Sequence, residues 1–338
     1  MKKVLTFRPS SIGDCLMAIY LLENVRAAYP AARYGIVVAG RGAMIRDLLV
    51  AYPWIEVIEA SRRNPRAVWH LLCNFWGSDF VFMPYTVGAL TIPTLAIGRL
   101  LARRGALVGF ADLSTVTPYL YDRLLPRPDR RNTPRLLEQR MLGAVGIPVG
   151  KEWMTYNYIP QPQLLPRLGL QKSGYIVVHL FSGSQTRGLD PEHQQGLVDA
   201  LVREFPRVPL VFTGTAHDHG FIKQLRLSQG TVLPTTTVQE MAQIIDDSKG
   251  VVSVGTGPSH MASIMRRPLC VICVCNGLSW CGTEQYGDAP ITIFARPDLC
   301  PDGHNAEGYA RCMNTVDMDA LAAKAKLMFS VHTSAAVT

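Results

Sequence analysis

The chain has little charge and few aromatic residues. Only 18% of its 338 positions are charged and 8% aromatic, against 48% hydrophobic. That balance excludes an intrinsically disordered chain and suits one with a sizeable buried core. No apolar run is long enough to span a bilayer. The most apolar stretch, 87–102, is broken by Pro93 and Arg99 and reads as a core helix. The N-terminus reaches Arg8 before any signal-peptide core develops, so the chain is expected in the cytoplasm. There is no low-complexity tract and no short-period repeat. No Gly-x-Gly-x-x-Gly follows the first apolar strand, and no loop has Walker spacing, which argues against a nicotinamide oxidoreductase and an ATPase. Without a secretion signal the eight cysteines do not imply a disulfide framework. Cys270, Cys273 and Cys275 fall in one apolar run and are read as small core residues rather than zinc ligands.

What is present is a strand–helix grammar written twice. In the first half, Lys3–Phe7, Tyr34–Val38, Val57–Ile58 and Phe80–Met83 are short apolar runs of the kind that form buried parallel strands. Helical patterns separate them, one beginning at Cys15 and another spanning Pro65–Phe75. The stretch Pro160–Pro166 carries three prolines and breaks the pattern. The grammar then restarts with strands at Tyr175–His179, Leu210–Thr213, Gly250–Val254, Leu269–Val274 and Ile291–Phe294, and helices at Pro191–Phe205, Val238–Asp246 and Ser259–Met265. The expectation is an α/β chain of two Rossmann-like domains, 1–158 and 173–338, joined by a linker at 159–172, with the last helix free to pack back on the first domain. Two such domains facing across a cleft bind ligands at the carboxyl ends of their strands.

The net charge of +8 is unevenly placed. Residues 1–150 hold 19 Lys and Arg against 10 Asp and Glu, whereas residues 151–338 hold 15 against 16. An excess of +9 confined to the first half fits an anionic partner, with a solvated Arg-rich face as the plain alternative.

Three loops concentrate the informative residues. In Ser10–Asp14, Gly13 permits a tight turn and Asp14 sits where a helix begins, whose positive end favours an ionised carboxylate. Such a carboxylate is a candidate general base; equally, Ser11-x-x-Asp14 matches a helix cap. In Phe181–Arg187, the small residues Ser182, Gly183 and Ser184 expose backbone amides and Arg187 adds a fixed positive charge, a cradle for phosphate. In Gly255–Ala262, an apolar strand runs into Gly-Thr-Gly and Pro258 occupies a favoured first-turn position. The amides of Gly257 and Ser259, the Thr256 hydroxyl and the His260 ring would surround an anion there.

In this order and spacing the motifs resemble those of glycosyltransferase family 9, the ADP-heptose:lipopolysaccharide heptosyltransferases, over nearly the whole chain. The opening strand with Ser10-Ser11-Ile12-Gly13-Asp14 resembles the family's N-terminal signature, and Gly255-Thr256-Gly257-Pro258-Ser259-His260-Met261-Ala262 is similar to its donor-binding signature. Cys312-Met313 and Gly143–Pro148 resemble further family features. The resemblance implies a GT-B fold and an inverting transfer that needs no metal or other cofactor. Asp14 would deprotonate the acceptor. Ser182, Gly183, Ser184, Arg187, Thr256, Gly257, Pro258 and His260 would hold the donor diphosphate. Ser11, Gly13, Arg62 and Arg63 would meet a phosphorylated, lipopolysaccharide-type acceptor at the cytoplasmic face of the inner membrane. No role in nucleic-acid binding is implied. The donor would be a nucleotide-sugar such as ADP-heptose, but Gly255 stands where the family has Asp and Leu189 where it has Trp, so the likeness covers the phosphate site and leaves the sugar open. Two other readings share the layout: a nucleotide-sugar epimerase or isomerase, and a non-catalytic nucleotide-binding protein.

Overall fold

The structure is a computed structural model and describes residues 1–9, 11–60, 64–83, 92–111, 117–129, 132–182, 188–274, 283–299 and 312–335. The chain divides into two compact units, 1–157 and 158–338.

Unit 1 runs β1 (Lys3–Arg8), α1 (Ile12–Ala28), β2 (Arg33–Val38), α2 (Gly42–Leu48), β3 (Ile55–Glu59), α3 (Pro65–Phe75), β4 (Phe80–Phe82), α4 (Ile92–Leu101), β5 (Ala106–Phe110), β6 (Arg123–Leu125) and α5 (Pro134–Ala144). All its strands are parallel, in the order β3-β2-β1-β4-β5-β6. The central strand β1 is apolar because both of its faces are covered; Val4 and Leu5 are fully buried. On one face Leu5, Phe7, Val81 and Leu107 pack under Leu71 and Phe75 of α3 and Leu95 and Leu101 of α4. Gly35 is required here, since a Cβ at that position would meet the Phe75 ring at 2.7 Å. The helix α1 is buried along most of its length, and its one inward amide, Asn24, accepts from the backbone N–H of Gly150 and Lys151 at 2.9 Å each.

Unit 2 runs α6 (Leu164–Arg167), β7 (Ile176–His179), α7 (Pro191–Glu204), β8 (Leu210–Phe212), α8 (His219–Ile222), β9 (Thr231–Val232), α9 (Val238–Asp246), β10 (Gly250–Val254), α10 (Gly257–Ile264), β11 (Leu269–Ile272), α11 (Thr283–Tyr286), β12 (Ile291–Phe294) and α12 (Met318–Ala335). Its parallel sheet is ordered β12-β11-β10-β7-β8-β9. Counted from the first strand of each unit, the two sheets have the same winding, 3-2-1-4-5-6, the order of a dinucleotide-binding Rossmann fold. The last helix, α12, packs on α7, β10 and β11. Phe329 stacks on Phe205 with ring centroids 6.0 Å apart, and a Cβ on Gly250 would strike the Phe329 ring at 2.5 Å.

The proline-bearing stretch after residue 157 is held to unit 2 by side chains of α9. Gln239 accepts from the Ile159 N–H at 2.8 Å, Gln243 accepts from the Gln161 N–H at 2.7 Å, and the Tyr158 hydroxyl donates to Asp246 at 2.8 Å. Among the described residues no helix is long and apolar enough to cross a membrane. Cys270 is fully buried in β11, and burial pushes its thiol up to about 12. Cys275 and Cys281 lie outside the described residues.

Candidate functional site

In a doubly wound sheet, ligands bind beyond the carboxyl ends of the strands, where the winding reverses. In unit 1 that point lies between β1 and β4, and in unit 2 between β7 and β10. The sequence-derived candidates Ser11, Gly13 and Asp14 follow β1, Ser182 follows β7, and Thr256 to His260 follow β10. The described parts of the loops that the sequence singles out therefore follow the strands that flank the two reversal points.

In unit 1, Ser11 is the N-cap of α1, in an extended conformation. Its Oγ accepts from the Asp14 backbone N–H at 3.1 Å and donates to Asp14 Oδ2 at 2.5 Å. Gly13 is buried and Asp14 half-buried. The carboxylate thus stands in the first turn of a 17-residue helix, in the field of its unsatisfied amides. The capping and catalytic readings of Asp14 are compatible, because the cap uses Ser11 Oγ and the Asp14 amide while the carboxylate retains further lone pairs. Behind the loop, Arg8 closes β1 with an ion pair to Glu138 of α5 at 2.8 Å, both side chains at most 1% exposed. Ser10, Arg62 and Arg63 lie outside the described residues.

In unit 2, β10 ends at Val254 and α10 begins at Gly257 with Pro258 in its first turn. The turn is locked by Ser259: its Oγ accepts from the Thr256 N–H at 3.0 Å and donates to the Thr256 carbonyl at 2.7 Å. The Thr256 hydroxyl donates to the Val254 carbonyl at 3.2 Å. That leaves it an acceptor lone pair, and the anion-facing donors here are the amides of the helix start. His260 is buried, its Nδ1 2.6 Å from the Tyr286 hydroxyl. Burial pushes its imidazole down to about 4, so the ring is neutral at pH 7. His179, at the end of β7, is likewise buried with Nδ1 3.0 Å from Thr213 Oγ1, and burial pushes it down to about 4 against the opposing pull of Asp218. Ser182 is half-buried just beyond it; Gly183, Ser184 and Arg187 lie outside the described residues.

Sequence reasoning missed Glu138, His179 and Tyr286. Each meets its partner through a side chain distant in the sequence, and no local pattern signals such a pairing. Leu189, at the position discussed above, is buried in the unit 2 core. The sequence has one Asp-x-Asp, at Asp317 and Asp319; Asp317 accepts from the Ala320 amide at 2.9 Å, and Asp319 pairs with Arg203. Among the described residues no group of three His, Cys, Asp or Glu side chains is arranged to hold a metal.

No protein-family model matches the chain, and no curated protein matches it by sequence. Solved structures do resemble it. A glycosyltransferase of family 9 from Veillonella parvula superposes with a TM-score of 0.71 at 14% identity, over 97% of each chain. ADP-heptose LPS heptosyltransferase II from E. coli gives 0.68 at 15% identity, over 98% of this chain and all of that one. A UDP-GlcNAc 2-epimerase from Methanocaldococcus jannaschii gives 0.51 at 10% identity, over 97% of this chain and 99% of that one. At these identities the likeness establishes the fold, two Rossmann-like units of the GT-B type, which is the fold the motifs implied.

Proposed function

We propose that this chain is an inverting, metal-independent glycosyltransferase that moves a sugar from a nucleoside-diphosphate donor to a phosphorylated, lipopolysaccharide-type acceptor. The observation that carries the reading is the reversal point of the unit 2 sheet. One side is formed by the Ser182 loop after β7, the other by the Thr256–Gly257 turn and the start of α10. Fixed amides there, backed by a neutral His260, suit a diphosphate without a counter-cation. Pro258 fixes the first turn, and the sequence assigns Gly183, Ser184 and Arg187 to the same diphosphate.

Asp14 is the base. It takes the proton of the acceptor hydroxyl as that oxygen attacks the anomeric carbon; the bond to the diphosphate breaks, and its electron pair leaves with the phosphate oxygen. Stabilising that departing charge with preorganised donors is the largest electrostatic task of the reaction. Ser11 orients Asp14, Gly13 in the first turn of α1 meets the acceptor, and Arg62 and Arg63 neutralise the acceptor's phosphate. Heptose is one candidate sugar. Gly255 offers no carboxylate to sugar hydroxyls, so a related sugar fits the same phosphate site. In this reading the enzyme works at the cytoplasmic face of the inner membrane.

Thermal-shift measurements against a panel of nucleoside diphosphates test the donor site. A ligand at about 100 times its Kd stabilises by roughly 2.7 kcal/mol. The nucleotide that does so then identifies donors for an assay of diphosphate release. Release that depends on an added acceptor supports transfer. Interconversion of the sugar without acceptor makes the chain an epimerase, and nucleotide binding with neither reaction makes it a binding protein.

A further inference from the structure

The helices α3 and α4 cover one face of the unit 1 sheet, sharing the core cluster of Leu71, Phe75, Leu95 and Leu101. Their ends are joined: the Ser78 N–H donates to the Leu101 carbonyl at 2.8 Å, and a Cβ built on Gly77 would lie 3.6 Å from Arg104 Cδ. The outward faces of these helices are unusual for a soluble protein. On α3 and the residue after it the exposed stripe reads Arg66, Trp69, Cys73, Trp76; on α4 and just beyond it reads Pro93, Ala96, Leu100, Arg103. Each stripe follows the i, i+3, i+7 spacing of one helix face. Trp69 is 70% exposed, Trp76 39% and Leu100 44%. Tyr119, 88% exposed, follows in the short 3₁₀ turn that packs on α4, where Leu120 helps Ala96, Leu100 and Arg103 line a shallow groove.

The charge on this layer has one sign. Neither α3 nor α4 contains an acidic residue. Arg66, Arg103 and Arg104 are exposed, and none takes part in an ion pair among the described residues. The nearby acids are engaged: Asp79 accepts from the Lys3 backbone N–H at 2.9 Å, Glu56 pairs with Arg33 and with His70 of α3, and Asp122 pairs with Arg99 at 2.9 Å. An apolar surface rimmed by unneutralised arginines lacks what a water-facing helix has and what a protein–protein rim has, namely mixed charge. It has what an interfacial surface has: tryptophans that seat at headgroup depth and cations that meet anionic lipid.

We propose that the outer face of α3 and α4 docks on an anionic lipid bilayer. The inference rests on the proposed function only for its biological use, which is to bring unit 1 to an amphiphilic acceptor.

The test is co-sedimentation of the full chain with vesicles of phosphatidylcholine alone and of equimolar phosphatidylcholine and phosphatidylglycerol. Binding is expected to the mixed vesicles only, with a blue shift of tryptophan fluorescence, and to weaken at high salt as the Debye length shortens. Arg103→Ala with Arg104→Ala should lower the partition coefficient roughly thirty-fold, two cations near an anionic surface being removed. Trp69→Ala with Trp76→Ala should lower it roughly tenfold or more through lost apolar burial. Trp69→Ala alone, at the more exposed position, serves if the pair disturbs folding. Equal binding to both vesicle types, no binding, or tryptophan variants that bind like wild type would overturn the proposal. So would a dimer dissociated by the tryptophan substitutions, which would give this face to a second copy of the chain. Nucleoside-diphosphate thermal shifts of the variants should match wild type. If no nucleotide binds even wild type, the transferase reading fails while the vesicle result stands.

Discussion

Glu138→Ala should destabilise unit 1 far more than removal of both partners of the same pair. Arg8 and Glu138 are 130 residues apart and bond at 2.8 Å, with side chains 1% and 0% exposed. Removing the carboxylate takes the charged partner from a buried guanidinium, a change that destabilises by about 3–5 kcal/mol where no other charge compensates; replacing both charges with apolar side chains of similar volume is often neutral or stabilising. The expected ordering is therefore wild type close to Arg8→Met/Glu138→Leu, and both well above Glu138→Ala. Glu138→Gln should fall between, since the amide keeps a hydrogen bond and loses the charge. For a unit of this size about 4 kcal/mol corresponds to a midpoint shift on the order of 10 °C. Urea unfolding followed by intrinsic fluorescence is the direct assay, because Trp54, Trp69, Trp76 and Trp153 all lie in unit 1. Arg8 also ends the strand that delivers the Asp14 loop. A double variant that is stable but mispositions this loop should lose roughly a hundredfold in kcat, the scale of an ångström's misplacement. A Glu138→Ala protein within 1 kcal/mol of wild type would refute the reasoning, since a charge removed from water cannot lose its partner so cheaply.

Asp14→Ala should abolish transfer, by a factor on the order of 10² to 10⁴, with donor affinity nearly unchanged because the proposed donor contacts are on unit 2; a variant keeping half its activity would make Asp14 only a cap. Excess chelator should leave the rate unchanged, and complete loss restored by a divalent ion would contradict a metal-free diphosphate site. His179 and His260 are both pushed down from 6.5 to about 4 by burial, so between those limits the unfolded chain binds more protons. The stability they confer is complete above about pH 6.5 and should fall as pH drops toward 4, by about 1.4 kcal/mol per pH unit for each histidine. Chemical denaturation across this range should show the slope, and His260→Gln should reduce it; an unchanged slope would mean that His260 titrates normally. Reversing the charges of Arg62 and Arg63 should raise the acceptor KM much more than the donor KM, and equal acceptor handling at low salt would reduce these arginines to a solvated surface.

The parts of this molecule that were legible in the sequence are those written in consecutive residues. β1, β7, β10 and β11 are covered on both faces, so each appears as an unbroken apolar run, and the loops that follow them could be located before any geometry was known. The edge strands β6 and β9 span three and two residues and carry no such run. The helix α2 starts from Arg41 in a left-handed conformation with no side-chain cap, so the usual start signal is missing. Within the candidate site, Asp14 and Thr256 are placed by their own strands and helices. Ser11 and Ser259 hold them locally, but the neighbours behind them have partners that are not local: Glu138 reaches Arg8 from α5, and Tyr286 reaches His260 from α11.

The charge asymmetry shows how the fold divides what composition merges. The +9 of the first half reads as one field, yet Asp14 follows the carboxyl end of β1, whereas Arg103 and Arg104 precede the amino end of β5. In a parallel sheet these are opposite ends. These arginines end the outer stripe of α4, a helix in the most apolar stretch of the chain, which the sequence reads as core. The fold buries Leu95 and Leu101 of that helix and exposes Ala96 and Leu100. Apolarity all round implies burial on all sides, and in unit 1 the sheet covers only one of them. Two demands on the same arginine-rich half are thereby separated. Asp14 stands at the carboxyl end of the sheet, while Arg103 and Arg104, on the helix layer, act through a field that reaches no farther than a Debye length. A single composition can serve both demands because the strand direction fixes which end, and the helix face fixes which side, each arginine occupies.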